Sequence, residues 1–288
     1  KAIQISPNSS ELHSNLGLML KDLGKLQEAE LSTRKAIELK PDFINAYANL
    51  GEILSNLGKL QEAELTTRKA IELNPKSANA HSNLGLILKD LGKLQEAELS
   101  TRKAIELNPK LANAHSNLGL ILRDLDKLQE AELSLRKAIE LNPDFAMAHN
   151  NLGVILRNLR KLEEAELSQR KAIELNPNFA MAHNNLGIIL RDLGKLQEAE
   201  LSLHKAIQLN PNYAEAHYNL GSTFYELHEL DNALSSYEKA LEFKMDCNLC
   251  LVGIGKVLLN QGNHAEGVLK LKEGEGAIHF DLKNGLSI

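Results

Sequence analysis

The chain has 288 residues, 43% apolar and 25% charged, a balance that folds rather than staying disordered. Lys and Arg number 33 against 38 Asp and Glu, a formal net charge of −5, so the basic surface that sequence-independent nucleic-acid binding requires is missing. Aromatic residues make up 4% with no Trp, no apolar run approaches the ~18 residues of a membrane span, and two cysteines cannot build a disulfide framework. These features imply no nucleic-acid partner, no membrane partner and a cytoplasmic location. The opening Lys1-Ala2-Ile3-Gln4 has neither Met nor a signal-type core and implies a missing N-terminal portion.

A fixed period sets the architecture. Pro7, Pro41, Pro75, Pro109, Pro143, Pro177 and Pro211 lie 34 residues apart, and Gly17, Gly51, Gly85, Gly119, Gly153, Gly187, Gly221 and Gly255 keep the same step. Residues 1–9 read as the tail of a preceding repeat, because Lys1-Ala2-Ile3 matches Lys35-Ala36-Ile37. Seven units follow over 10–247, beginning at Ser10, with a degenerate eighth at 248–273. Each unit reads as two helices. In the third, His81, Leu84, Gly85, Ile87 and Leu88 share one helical face, and Gly92 ends that helix. A second helix carries Leu94, Ala97, Ala104, Ile105 and Leu107 until Asn108-Pro109 stops it. Small residues such as Gly85, Ala97 and Ala104 mark close approach within an antiparallel hairpin. One hairpin cannot bury its own apolar face, so neighbours must stack. At ~100° per residue, the buried places of each first helix are the fourth, seventh, eighth and eleventh.

Unit one supplies Leu16-Gly17, Ala29, Ala36 and Pro41, and this set, repeated along the chain, resembles the tetratricopeptide repeat family. The family's aromatics are replaced: His stands at the first aromatic position in most units, Leu at the second, and Thr, Leu or Gln at the third until Tyr237. The resemblance implies an all-α, right-handed α-solenoid of helix-turn-helix repeats, with first helices lining a concave groove. It also implies that the second, sixth, ninth and thirteenth positions form the ligand-binding stripe.

In that stripe the sixth position is Asn15, Asn49, Asn83, Asn117, Asn151, Asn185 and Asn219. Each amide offers donors and an acceptor, so the column can pair with the backbone of an extended peptide without reading its side chains. A similar ladder lines the repeat arm of O-linked N-acetylglucosamine transferase. The ninth position is mostly apolar, the thirteenth acidic or amide, and the twelfth mostly Lys or Arg. The family's carboxylate clamp needs Lys or Arg at positions two and six; Glu11, Asn45, Asn79, Asn113, Met147, Met181 and Glu215 stand at position two, so the clamp is absent.

Aromatics gather toward the end of the chain, where Tyr218 and Tyr225, seven residues apart on one helix face, are candidate binding anchors. The His column, one per repeat, is spaced too widely to share a metal ion, and Cys247 and Cys250 with His264 and His279 miss zinc-finger spacing. No cofactor and no catalytic constellation is expected. Residues 274–288 change character: Ile278, Phe280 and Leu282 alternate before Asn284-Gly285, a strand-and-turn signal read as the start of a following, truncated domain. Three readings remain. The chain is a non-catalytic scaffold binding a peptide or protein in its groove, or the substrate-selecting arm of an enzyme continuing beyond Ile288, or a head-to-tail self-assembling array.

Overall fold

Each unit folds into two helices because the chain is broken at two places per period, and the two breaks work differently. In the computed structural model, which describes residues 8–243, 248–275, 279–281 and 285–287, sixteen helices are found among the described residues. The first compact body, 1–144, holds α1 (Ser10–Asp22), α2 (Leu26–Leu39), α3 (Ile44–Asn56), α4 (Leu60–Leu73), α5 (Ala78–Asp90), α6 (Leu94–Leu107), α7 (Ala112–Asp124) and α8 (Leu128–Leu141). The second, 145–288, holds α9 (Ala146–Asn158), α10 (Leu162–Leu175), α11 (Ala180–Asp192), α12 (Leu196–Leu209), α13 (Ala214–Glu226), α14 (Leu230–Phe243), α15 (Asn248–Asn260) and α16 (His264–Glu275). It ends in two short strands, β1 (His279–Asp281) and β2 (Gly285–Ser287), paired antiparallel with Phe280 opposite Leu286. Cys247 and residues 1–7 of the preceding-repeat tail lie outside the described residues.

The first break, inside each pair, is a left-handed turn. The Gly24 N–H bonds back to the Lys21 carbonyl and the Lys25 N–H to the Leu20 carbonyl, each at 2.9 Å, which satisfies two carbonyls orphaned at the end of α1. Gly24 takes φ +74°, and Asp126, Arg160 and His228 occupy the same turn at φ 59°, 60° and 61°. The second break is Asn-Pro. The residue before proline is pushed to extended backbone, as at Asn74 (φ −142°), and the Asn108 side chain accepts the Lys110 N–H at 3.1 Å to hold the next turn.

Burial of the first helices exceeds the expected four places. In α5, Ala80, Ser82, Leu84, Gly85, Ile87 and Leu88 are buried. The seventh, eighth and eleventh positions are as expected; the third, fifth and tenth join them, and His81 at the fourth is only partly buried. The reason is that α5 packs against α4 and α6 and also against α3 and α7, so it is covered on more sides than a helix of one hairpin. Close approach within a pair is fixed by glycine: a Cβ on Gly119 would lie 2.6 Å from Leu135 Cγ. Among the described residues, no helix is long and apolar enough to cross a membrane.

Candidate functional site

Four members of the asparagine column are held by the repeat before them. Asn49 Nδ2 donates to Ser14 Oγ at 3.0 Å and Asn117 Nδ2 to Ser82 Oγ at 3.0 Å, within the first body. In the second body, Asn185 Nδ2 donates to Asn150 Oδ1 and Asn219 Nδ2 to Asn184 Oδ1, both at 2.9 Å. Each bond runs from the sixth position to the fifth of the preceding unit, so one amide N–H fastens neighbouring first helices while the amide oxygen is left to accept. The rung is missing at Asn83, where the facing place is Ala48, and Asn151 differs again, its Nδ2 buried without a partner while its Oδ1 accepts from Asn150 Nδ2 at 3.3 Å. Asn15 is exposed, Asn49, Asn83, Asn117 and Asn185 are partly exposed, and Asn151 and Asn219 are buried.

Beside the amides run half-buried apolar residues at the ninth position, Leu86, Leu120, Val154 and Ile188 among them. The second position differs between the bodies. Exposed Asn45, Asn79 and Asn113 stand in the first. Met147 and Met181, 43% and 46% exposed, stand in the second, where Asn150 Nδ2 donates to Met181 Sδ at 3.8 Å. Twelfth-position cations pair with the next first helix, Lys21 with ninth-position Glu52 at 2.7 Å, and Arg157 and Arg191 with thirteenth-position Asp192 and Glu226 at 2.6 and 3.5 Å. In the first body Lys89 and Arg123 instead pair with Asp90 and Asp124 of their own helices, at 2.7 and 2.8 Å.

Tyr218 and Tyr225 sit in the packing as well as at its surface. The Tyr218 ring lies 5.6 Å from that of Tyr237, both tyrosines flank the cluster around Leu220 and Ile254, and the Tyr225 hydroxyl accepts from Asn260 Nδ2 at 2.7 Å. The histidine column has a backbone partner. His81, His115, His183 and His217 donate from Nε2 to the carbonyls of Pro75, Pro109, Pro177 and Pro211, at 3.1, 3.0, 3.1 and 2.9 Å. The pairing ties each first helix to the loop that precedes it, and burial holds the His183 imidazole below its ordinary pKa against this bond. Among the described residues no group of His, Cys, Asp and Glu could hold a metal ion. Cys250 is fully buried.

The opposite face, on the second helices, is electrostatic. Glu64 accepts from Lys93 at 2.7 Å and from Arg68 within its own helix at 2.9 Å; Glu98 does the same with Lys127 and Arg102, both at 2.8 Å. The Lys93 and Lys127 hydrogen bonds hold both carboxyls below the usual carboxylate range, with burial opposing and the arginines assisting.

Family models described as tetratricopeptide repeat match residues 10–43, 44–77, 78–111, 112–145, 134–166, 169–200 and 214–244, and one described as TPR repeat matches 187–228. No curated protein matches the chain in sequence. Among solved structures, a chain of the APC/C hetero-tetramer Cut9-Hcn1 is 18% identical with a TM-score of 0.75 over 87% of this chain. The match spans 49% of that longer chain. YrrB, described as a TPR protein with an unusual peptide-binding site, is 28% identical with a TM-score of 0.51, covering 64% of this chain and 95% of its own. PilF of Pseudomonas aeruginosa is 21% identical with a TM-score of 0.65, covering 75% of this chain and 97% of its own.

Proposed function

The chain belongs to the tetratricopeptide repeat family, and from that premise we propose that it is a non-catalytic interaction scaffold holding an extended peptide along its first helices. The observation that carries this reading is the amide column. At the partly exposed Asn49, Asn117 and Asn185 one amide N–H is committed to the neighbouring repeat, and the oxygen remains to accept. A row of acceptors at repeat spacing pairs with peptide N–H groups, which every sequence offers, while the half-buried apolar row at position nine adds contact area. The peptide-binding site named for YrrB supports the same class of ligand. Specificity would come from the second position: polar Asn45, Asn79 and Asn113 in the first body suit hydrogen bonding, and adaptable Met147 and Met181 in the second suit apolar side chains.

Asn83 and Asn117 make the test clean, because the two amides differ in structural duty. Peptides selected by display on the intact chain are titrated against Asn83→Ala and Asn117→Ala. Losing one hydrogen bond costs about 0.5–1.5 kcal/mol, so each substitution should weaken binding about two- to tenfold. Only Asn117→Ala should also lower the melting temperature, since it alone breaks a bond to Ser82. Unchanged affinity in both variants, or selected peptides that footprint the second helices, would overturn the proposal.

A further inference from the structure

The second helices carry a leucine that internal packing does not use. Leu31, Leu65, Leu99 and Leu133, one per repeat at the twenty-second position, are 70%, 70%, 70% and 69% exposed, whereas Glu30 and Glu132 just before two of them are buried. Single exposed leucines are ordinary; one at the same place on each of α2, α4, α6 and α8 makes a regular apolar row. Beside Leu99 an open cavity of about 520 Å³, floored by Ile71, Leu84 and Leu88, adds further apolar surface to the column.

The charges around each leucine are arranged antisymmetrically. Reading toward and along α6, Lys93, Glu96, Leu99, Arg102 and Glu106 give plus, minus, apolar, plus, minus at steps of about one turn, and α4 repeats this as Lys59, Glu62, Leu65, Arg68 and Glu72. Glu96 and Arg102 stay 56% and 47% exposed after making their own ion pairs, to Arg68 and to Glu98 and Glu130. A two-fold axis running along the leucine column exchanges its two sides. Leucine then lies beside leucine, Glu96 meets the other copy's Arg102, and Lys93 meets its Glu106. A two-fold axis across the column would instead set like charge on like. The spacing selects the same partner, because only a surface with this repeat step engages all four leucines together, and a second copy has that step by construction. In the second body α10 keeps the pattern as Lys161, Glu164, Leu167, Arg170 and Glu174, and Leu201 is 70% exposed, but His204, Gln208 and Ser235 then stand at the Arg, Glu and Leu places.

We infer that the outer face of α2, α4, α6 and α8 is a self-association surface that seats a second copy of this chain, parallel and in register, about a two-fold axis along the leucine column. This contact is lateral and closed, distinct from a head-to-tail array. Sedimentation velocity over about a hundredfold concentration range should show a monomer–dimer equilibrium that stops at the dimer. Leu99→Glu with Leu133→Glu should weaken it at least about thirtyfold, the loss expected for hot-spot residues, with unchanged circular dichroism and urea midpoint because both side chains are exposed. Leu99→Cys treated with a short bis-maleimide should give a dimer whose mapped link joins residue 99 to residue 99. A monomer at all concentrations, a dimer indifferent to the double substitution, or links joining residue 99 only to distant positions would each overturn the inference.

Discussion

The left-handed turn inside each helix pair offers a measurement of backbone strain with side-chain contacts almost removed. Arg160 is exposed and takes φ 60° where Gly24, Gly58, Gly92 and Gly194 take φ between 74° and 75°. Placing an L-residue in this region costs about 1–2 kcal/mol from the clash of Cβ with the following carbonyl. Glycine gives back part of that, about 0.5–1 kcal/mol, through its greater freedom in the unfolded chain. Arg160→Gly should therefore stabilise its repeat by about 0.5–1 kcal/mol, a rise in melting temperature of roughly 2 °C. Asp126→Gly should gain less, since Asp tolerates this region better than Arg. The reverse substitution isolates the backbone term, because no atom lies within 4 Å of a Cβ built at Gly92. Gly92→Arg should lose about what Arg160→Gly gains. Repeat arrays open locally, so the sharpest readout is hydrogen exchange of the Lys161 amide, which donates to the Leu156 carbonyl at 2.9 Å across this turn. Exchange there should slow several-fold in Arg160→Gly. Faster exchange, together with a neutral Gly92→Arg, would refute the strain argument.

Three further outcomes follow from buried and partly buried polar groups. Gln169 is fully buried where the neighbouring units carry Leu135 and Leu203; its Nε2 donates to the Asn150 carbonyl at 2.9 Å, and its Oε1 has no partner. Gln169→Leu should raise the urea midpoint by the equivalent of about 1 kcal/mol, the cost of one unsatisfied polar atom, and a lower midpoint would show that the single bond outweighs it. For Glu64 and Glu98 the folded pKa is depressed, so the stability they add is complete above the unfolded value and is lost as pH falls through the folded one. Glu64→Gln with Glu98→Gln should therefore flatten the fall in urea midpoint below about pH 4.3, and an unchanged slope would remove these carboxylates from the acid transition. His183 is also depressed, here by burial of the neutral ring, so its contribution is complete above about pH 6.5 and shrinks below it. His183→Gln should make the melting temperature less dependent on pH between about 6.5 and 5, and an identical dependence would count against it.

What the sequence determined by itself is everything that depends on the chain's immediate neighbours. Proline forbids a helical residue before it and glycine permits a left-handed one, so Asn74-Pro75 and Gly92 mark breaks without reference to any partner. The alanines and Gly119 mark close approach because no larger group fits there. The turn conformation at Arg160 was legible too, from the glycines that share its place in other units. What only the tertiary structure decided is which groups become partners across repeats. Ser82 is an unremarkable helix residue until the next first helix brings the Asn117 amide to within 3.0 Å. His81 reads as a core residue in place of an aromatic until the preceding loop turns the Pro75 carbonyl toward it. The second helices show the difference most plainly. Helical periodicity sets Leu31 opposite the Ala29, Thr33 and Ala36 stripe and Glu30 nearer its margin. What the sequence does not show is that the marginal glutamate is buried against the following repeat, where it pairs with Lys59 at 2.7 Å as well as with Arg34 at 2.9 Å.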